Sequence, residues 1–327
     1  MTARVPRAPH ALRLAAAPAA AAALLACGGF TVEEVPDRPI AFVRAQVSDG
    51  LISIDDFRQA LRMANFDDPK TLKRRRTTRV ALITVPKREV RTIDEISEGS
   101  LPLDWTLDGN QLLIGERARG RSWLALSVWN RHTGAFDRVR PGQSTGLAAM
   151  GRGKIRLVTI GAATRGSRPG VLLHVRGEGP RKVVGGEDGN EPDLSPDGRH
   201  VVFTRMPRRP SGDPMMFMAT LGESDVKPLG RGRQPRFSGD GRWIVFARER
   251  GGNRDIWLMR SNGTAKRAIT DSSFDEDAPA ISPDGRYVVY GSVRGNQLDQ
   301  SQLFVTRVED RFEIQLTRSG QNGRPIW

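Results

Sequence analysis

Few side chains in this sequence are placed to do chemistry. The pentapeptide Gly142-Gln-Ser-Thr-Gly146 has the Gly-x-Ser-x-Gly spacing of serine hydrolases, in which the serine sits on a turn between strand and helix beneath an oxyanion hole. Here the flanking residues read as a loop between two β units, so Ser144 is expected to be inert. Histidine occurs four times, as His10, His132, His174 and His200. That is too scattered for imidazoles to converge on a metal. Asp271, Asp275, Glu276 and Asp277 crowd together, but no Asp-Gly follows at calcium-loop spacing, and the run reads as an acidic channel mouth. Phosphate loops and dinucleotide fingerprints are absent. No catalytic residue, metal or cofactor is expected.

The remaining reactive group is a thiol, and its position is informative. Arg4, Arg7 and Arg13 precede an apolar run over residues 14–26, interrupted only by Pro18. At about 1.5 Å per residue that run cannot cross a hydrocarbon core of about 30 Å, so residues 1–26 read as a signal peptide. It ends in Leu24-Leu25-Ala26-Cys27, which holds the only cysteine of the chain. The tetrapeptide resembles the lipobox of bacterial lipoproteins. The resemblance implies cleavage before Cys27 and acylation of its thiol and new amino group, with each buried methylene contributing about 0.8 kcal/mol of membrane affinity. A cut at Ala21-Ala22-Ala23, leaving Cys27 as an idle thiol, is the alternative. With Gly28 and no acid after the cysteine, an exported protein on the periplasmic face is expected, at the outer rather than the inner membrane. Residues 27–36 then form a short tether.

The elements that must position anything else repeat. Pro192-Asp-Leu-Ser-Pro-Asp-Gly-Arg-His-Val-Val-Phe-Thr204 recurs from Pro235 and again from Pro279. The turn aspartates Asp197, Asp240 and Asp284 are 43 and 44 residues apart. A degenerate copy surrounds Gly153, and another holds Asp108-Gly109. Each unit reads as four short strands. The first ends at Ser-Pro-Asp-Gly, where Asp bonds the local backbone and Gly accepts positive φ. The second, such as Trp243-Ile-Val-Phe246, is continuously apolar and so buried on both faces. Four-stranded units of this length predict an all-β, six-bladed β-propeller over residues 37–327. Five blades are contiguous. The sixth is a split blade of residues 37–94 closed by residues 321–327, so that N- and C-terminal strands pair in one sheet and the ring keeps no free edge. Ser53-Ile-Asp-Asp56 and the apolar spacing after it predict a helical insertion near 53–65.

These phrases, with Asp255-Ile-Trp and Asn262-Gly-Thr, resemble the WD40-like repeats of TolB-type propellers over roughly residues 95–327. The resemblance implies a periplasmic, non-catalytic platform that binds an envelope protein or cell-wall component, a peptidoglycan-associated lipoprotein being one candidate. The inter-blade loops predict Glu191, Arg233, Asp277 and Arg324 around the channel mouth. Further out lies an arginine-rich set that includes Arg248, Arg250 and Arg254. A basic rim around an acidic centre suits a partner of complementary charge. The competing reading is an enzyme acting on carbohydrate or peptide, which needs carboxylates such as Glu191 and Asp277 within about 5 to 9.5 Å of each other.

Net charge sharpens the partner class. Of the +14, three charges leave with the signal peptide, and residues 70–91 carry nine basic side chains against Glu89 alone, including the run Lys73-Arg-Arg-Arg76. The repeated body is close to balanced, and its basic loops lack the aromatic groups on which bases stack. A monomer that binds no nucleic acid is expected.

Overall fold

The computed structural model describes residues 34–46, 77–117, 123–144, 147–151, 155–162, 168–175, 177–207, 212–294 and 301–327. The expected signal peptide, Cys27, the expected helix near 53–65 and the Lys73–Arg76 run lie outside the described residues.

The described residues form six four-stranded antiparallel sheets. In chain order, the split blade begins with β1 (Ile40–Gln46), β2 (Thr77–Ile83) and β3 (Val90–Thr92). Blade 1 has β4 (Leu101–Trp105), β5 (Gln111–Arg117), β6 (Leu124–Asn130) and β7 (Phe136–Ser144). Blade 2 has β8 (Ala149–Met150), β9 (Ile155–Gly161), β10 (Gly170–Val175) and β11 (Arg181–Glu187). Blade 3 has β12 (Gly189–Leu194), β13 (His200–Arg205), β14 (Met215–Thr220) and β15 (Val226–Arg231). Blade 4 has β16 (Arg233–Phe237), β17 (Trp243–Arg250), β18 (Asn253–Arg260) and β19 (Arg267–Ala268). Blade 5 has β20 (Glu276–Ile281), β21 (Tyr287–Val293), β22 (Ser301–Arg307) and β23 (Glu313–Gln315). The last strand, β24 (Gln321–Ile326), returns to the split blade, whose order is β24-β1-β2-β3. The ring is closed as the repeat arithmetic requires, with Ala41 opposite Ile326 and Ala45 opposite Gln321.

The second strands explain the cohesion. Ile244, Val245, Phe246 and Ala247 of β17 are all fully buried, because each face of a sheet packs against a neighbouring blade. Val245, Ile256 and Leu258 of blade 4 meet Val288, Tyr290 and Phe304 of blade 5. Across the closure, Phe42 and Ile83 meet Tyr287, Val305 and Trp327.

The turns set the height of each inner strand. At Asp197 the carboxylate accepts the Ser195 hydroxyl at 2.5 Å and the Arg199 N–H at 3.0 Å, while His200 N–H donates to Ser195 Oγ at 2.9 Å. Asp108, Asp240 and Asp284 repeat these contacts, and the next residue in all four is glycine at φ near 70°, where a Cβ would be strained. One outer strand is short. The fourth strand of blade 4 is confined to Arg267–Ala268, since Ala265 turns left-handed before it and the Thr270 hydroxyl takes the Ile256 N–H at 2.8 Å after it.

Candidate functional site

The innermost strands β12, β16, β20 and β24 do not run straight along the channel. Each slips register against its neighbour by one residue, at Asn190/Asp193, Arg233/Arg236, Asp277/Ala280 and, across from β24, at Ala41/Val43. The extra residue precedes a proline every time, and is left-handed: Glu191 at φ 53°, Gln234 at 55°, Ala278 at 52° and Arg324 at 51°. Proline has no N–H to lose from the ladder, so the bulge forms there. A left-handed non-glycine residue costs on the order of 1–3 kcal/mol, and its neighbour proline disfavours the helical region further. The sequence placed Glu191, Arg233, Asp277 and Arg324 in inter-blade loops. All four belong instead to the innermost strands, in or beside these bulges, and Glu191, Gln234, Arg236 and Arg324 line one cavity at the channel mouth.

The bulges hold one another. Glu191 accepts the Gln234 N–H of the next blade at 2.9 Å through one oxygen, and Arg233 Nη2 at 3.2 Å through the other. Gln234 Oε1 in turn accepts the Ala278 N–H at 2.8 Å, and there the relay stops, because alanine has no acceptor to pass on. Two residues deeper a second tier repeats the device. Asp104 accepts the Met150 N–H at 2.6 Å and Asp193 the Phe237 N–H at 2.7 Å. Arg236 crosses the channel, with Asp193 at 3.4 Å on one side and the Leu103 carbonyl at 3.4 Å on the other.

Removing Asp193 therefore strands a buried N–H and a poorly hydrated guanidinium together. Asp193→Ala is expected to cost about 3–5 kcal/mol, a fall in Tm of at least 6 °C by thermal melting, because one partner of an enclosed pair is left behind. Asp193→Asn, which keeps an acceptor for Phe237, should lose less than half as much; equal losses would mean the backbone bond contributes nothing.

The outer arginines and the acidic run, which the sequence separates into rim and centre, are one another's partners. Arg254 reaches Asp275 at 3.2 Å and Asp277 at 3.8 Å; Arg250 reaches Asp271 at 2.5 Å and Asp255 at 3.7 Å. Arg294 holds the fully buried Glu276 at 2.7 Å and also pairs with Glu313. Arg248 lies over the Trp257 ring, 4.7 Å from its centroid.

At the cavity the two cations differ. Burial works against the charge on Arg233, but Glu191 and Asp277 more than offset it and raise its pKa. Burial leaves Arg324 below the ordinary arginine value; Glu191 and Asp277 oppose the shift, and Arg236 and Arg233 add to it. Among the described residues Arg324 makes no hydrogen bond and has no carboxylate within ion-pair distance.

The residues that suggested chemistry lie elsewhere. Ser144 ends β7 rather than lying in a loop, and is buried, with its hydroxyl accepting the Ile160 N–H at 3.1 Å. His174 bonds Thr159 at 2.8 Å, His200 bonds Thr220 at 3.3 Å and His132 bonds Asn110 at 3.0 Å, each within its own blade. Among the described residues no three His, Cys, Asp or Glu side chains are grouped to hold a metal ion. Sequence reasoning passed over Gln234, Asp193, Arg236 and Asp104. The available signal was the proline of each inner strand, Pro192, Pro235, Pro279 and Pro325, with the residues on either side of it.

Comparison with known proteins agrees with this architecture. The model of the TolB beta propeller domain matches residues 160–327. An uncharacterized protein of Agrobacterium fabrum is 38% identical over 80 residues, covering 24% of this chain and 27% of that one. A TolB homolog of Chlorobium luteolum is 33% identical over 103 residues, covering 32% and 23%. The chain thus spans about a quarter of the length of these curated relatives. Crystalline TolB from Acinetobacter baumannii superposes with a TM-score of 0.65 at 19% identity, over 94% of this chain and 70% of that one, a likeness of fold.

Proposed function

Because the chain belongs to the TolB beta propeller domain family, we propose that it is a non-catalytic binding platform of the bacterial cell envelope, held on the periplasmic side of a membrane by a lipid on Cys27. The observation that carries the platform reading is the channel mouth. Apart from Arg324, its charged groups are committed to holding blades 3, 4 and 5 in register rather than left facing a common point. Glu191 has both carboxylate oxygens engaged by Gln234 and Arg233, and Asp277 contacts the Ala278 N–H at 3.0 Å and Arg254 at 3.8 Å. Carboxylates so engaged suit neither a general acid nor a nucleophile, each of which needs an oxygen turned to substrate. A rigid, polar ring of this kind suits docking of an envelope protein or a wall component.

The anchor reading rests on the export signal and on the position of the one cysteine. Membrane partitioning and intact mass of wild type and Cys27→Ser separate the cases: the variant should lose the acyl mass and move to the soluble fraction, and an unchanged mass would refute lipidation. The platform is tested by capture from envelope extract with the tethered protein. Specific recovery of an envelope protein or wall fragment is expected, and recovery of nothing beyond a tethered control would overturn the proposal.

A further inference from the structure

We propose that the channel-mouth cavity is a subsite for a single carboxylate, contacted by the Arg324 guanidinium and the Gln234 side-chain amide. The inference deepens the platform reading and rests on the mouth being the docking face. Three observations carry it.

The first is an unspent cation. Arg233, Arg236 and Arg254 each have a carboxylate within ion-pair distance, at 3.2, 3.4 and 3.2 Å. Arg324 has none among the described residues, and the two nearby acids that act on its charge, Glu191 and Asp277, are already engaged by other donors. The second is an unspent amide. Gln234 is 8% exposed, and its Oε1 is assigned by the Ala278 N–H it accepts, which turns the Nε2 amide away from that contact. Among the described residues that amide donates to nothing, although Gln234 lines the same cavity as Arg324. Two groups with unspent donors thus share one small space, and the one carboxylate that lines it, Glu191, is already taken by Arg233 and the Gln234 N–H.

The third is position. Arg324 occupies a left-handed, pre-proline site at φ 51° where glycine would be at ease, so an arginine there is held against both backbone preference and desolvation. The same left-handed site recurs at Glu191, Gln234 and Ala278, and of the four only Arg324 brings to it a charge without an ion-pair partner among the described residues, a combination that marks a candidate binding site. Pro102, Leu147, Pro279, Pro325 and Ile326 supply apolar walls, which strengthen a charge-assisted hydrogen bond. A planar carboxylate matches the guanidinium fork. Multiply charged anions such as phosphate are disfavoured by Glu191 and Asp277. The carboxylate can come from an acidic side chain of the docking protein or from a free small carboxylic acid.

The test uses the full chain and a capped glutamate, N-acetyl-glutamate N-methylamide, with the matching glutamine compound and inorganic phosphate as comparators, titrated by NMR. Saturable binding in the millimolar range is expected for the glutamate probe, with the comparators at least about tenfold weaker. Arg324→Gly should abolish saturation while melting no lower than wild type, since glycine accepts the left-handed backbone; Arg324→Lys should weaken binding by about three- to tenfold because it keeps charge without the fork. Equal binding of the glutamine compound or of phosphate, unchanged binding in Arg324→Gly, or no saturation in wild type would each overturn the subsite. Envelope capture then separates the sources. Loss of captured partners in Arg324→Gly assigns the carboxylate to the docking protein, and retention of them assigns it to a free acid. If wild type captures nothing yet the probe saturates, the platform reading fails and the subsite stands.

Discussion

Truncation after Gly320 is expected to abolish cooperative folding. The seven residues removed are β24 and Trp327, which supply the inner strand of the split blade: Ala41 loses Ile326, Val43 loses Gly323 and Ala45 loses Gln321. Ile326 and Trp327 are 6% and 9% exposed, and the Trp327 ring lies 6.5 Å from that of Tyr287 in the cluster that joins the split blade to blade 5. Losing one buried tryptophan to alanine costs about 3–5 kcal/mol, already a large part of the roughly 5–15 kcal/mol that holds a domain together. Here a strand goes as well, and β1 is left as an open edge able to pair with another chain. Scanning calorimetry should show no sharp transition for the truncated chain, and size-exclusion chromatography should show aggregates. A synthetic peptide of residues 321–327, added in excess, should restore part of the transition by re-forming the β24–β1 ladder. A single sharp melt within about 5 °C of the full chain would show that closure contributes little.

The second large effect is expected at Arg294. Its guanidinium bridges Glu276, which is fully buried, and Glu313, and stacks on Phe304 with its centre 4.0 Å from the ring centroid. The Tyr290 hydroxyl also donates to Glu313, and burial holds that phenol well above its ordinary pKa, so it remains a donor. Arg294→Met fills similar space but leaves a buried carboxylate without its cation. The expected loss at neutral pH is about 3–5 kcal/mol.

That loss should shrink in acid. Burial raises the Glu276 pKa above its ordinary value, the Thr270 and Ser272 hydroxyls and Arg294 opposing the shift, and Glu313 adding to it. Removing Arg294 takes away one of the opposing effects, so the folded-state pKa rises further. A group whose folded pKa lies above its unfolded one contributes stability that is complete below the unfolded value and is lost as pH rises through the folded value. Melting wild type and variant from pH 4.5 to 8 should show the gap between them widening with pH. A gap that is constant across that range would mean Glu276 is not the group left exposed to the loss.

Both predictions concern features that differ in how legible they were. The closure was readable because its evidence is local. Gly323-Arg-Pro-Ile-Trp327 has the inner-strand pattern of the repeats, and residues 39–47, 79–85 and 88–93 have the three strand patterns that complete a blade with it. The structure places these strands at Ile40–Gln46, Thr77–Ile83 and Val90–Thr92. The Glu276 network was not readable. In sequence Glu276 is one of four acids in a hydrophilic run, and only the fold turns it inward while its neighbours Asp275 and Asp277 stay at the surface with Arg254.

The same division holds at the channel. Glu191, Arg233, Asp277 and Arg324 could be singled out because each falls one or two residues before the repeated proline of an inner strand. Their environments could not, since one residue decides each. Glu191 and Gln234 accept the next blade's backbone, and Ala278, at the same place in the repeat, breaks that relay. Arg254 has acids on either side of its reach, whereas the acids near Arg324, Glu191 and Asp277, are engaged by other donors and none lies within ion-pair distance of it among the described residues.

What the amino-acid sequence determined by itself is the architecture: strand, Asp-Gly turn, apolar strand and closure. These depend on hydrogen bonds and burial patterns set within a few residues, repeated at a fixed period. What only the tertiary structure decided is which charges are spent. Coulombic and hydrogen-bond pairing falls off within a few ångströms, and the partners that matter, Glu191 with Gln234 or Arg236 with Leu103, are 43 and 133 positions apart in the chain. A count of arginines and acids therefore describes a balanced surface, and the folded ring shows which arginine that balance does not reach.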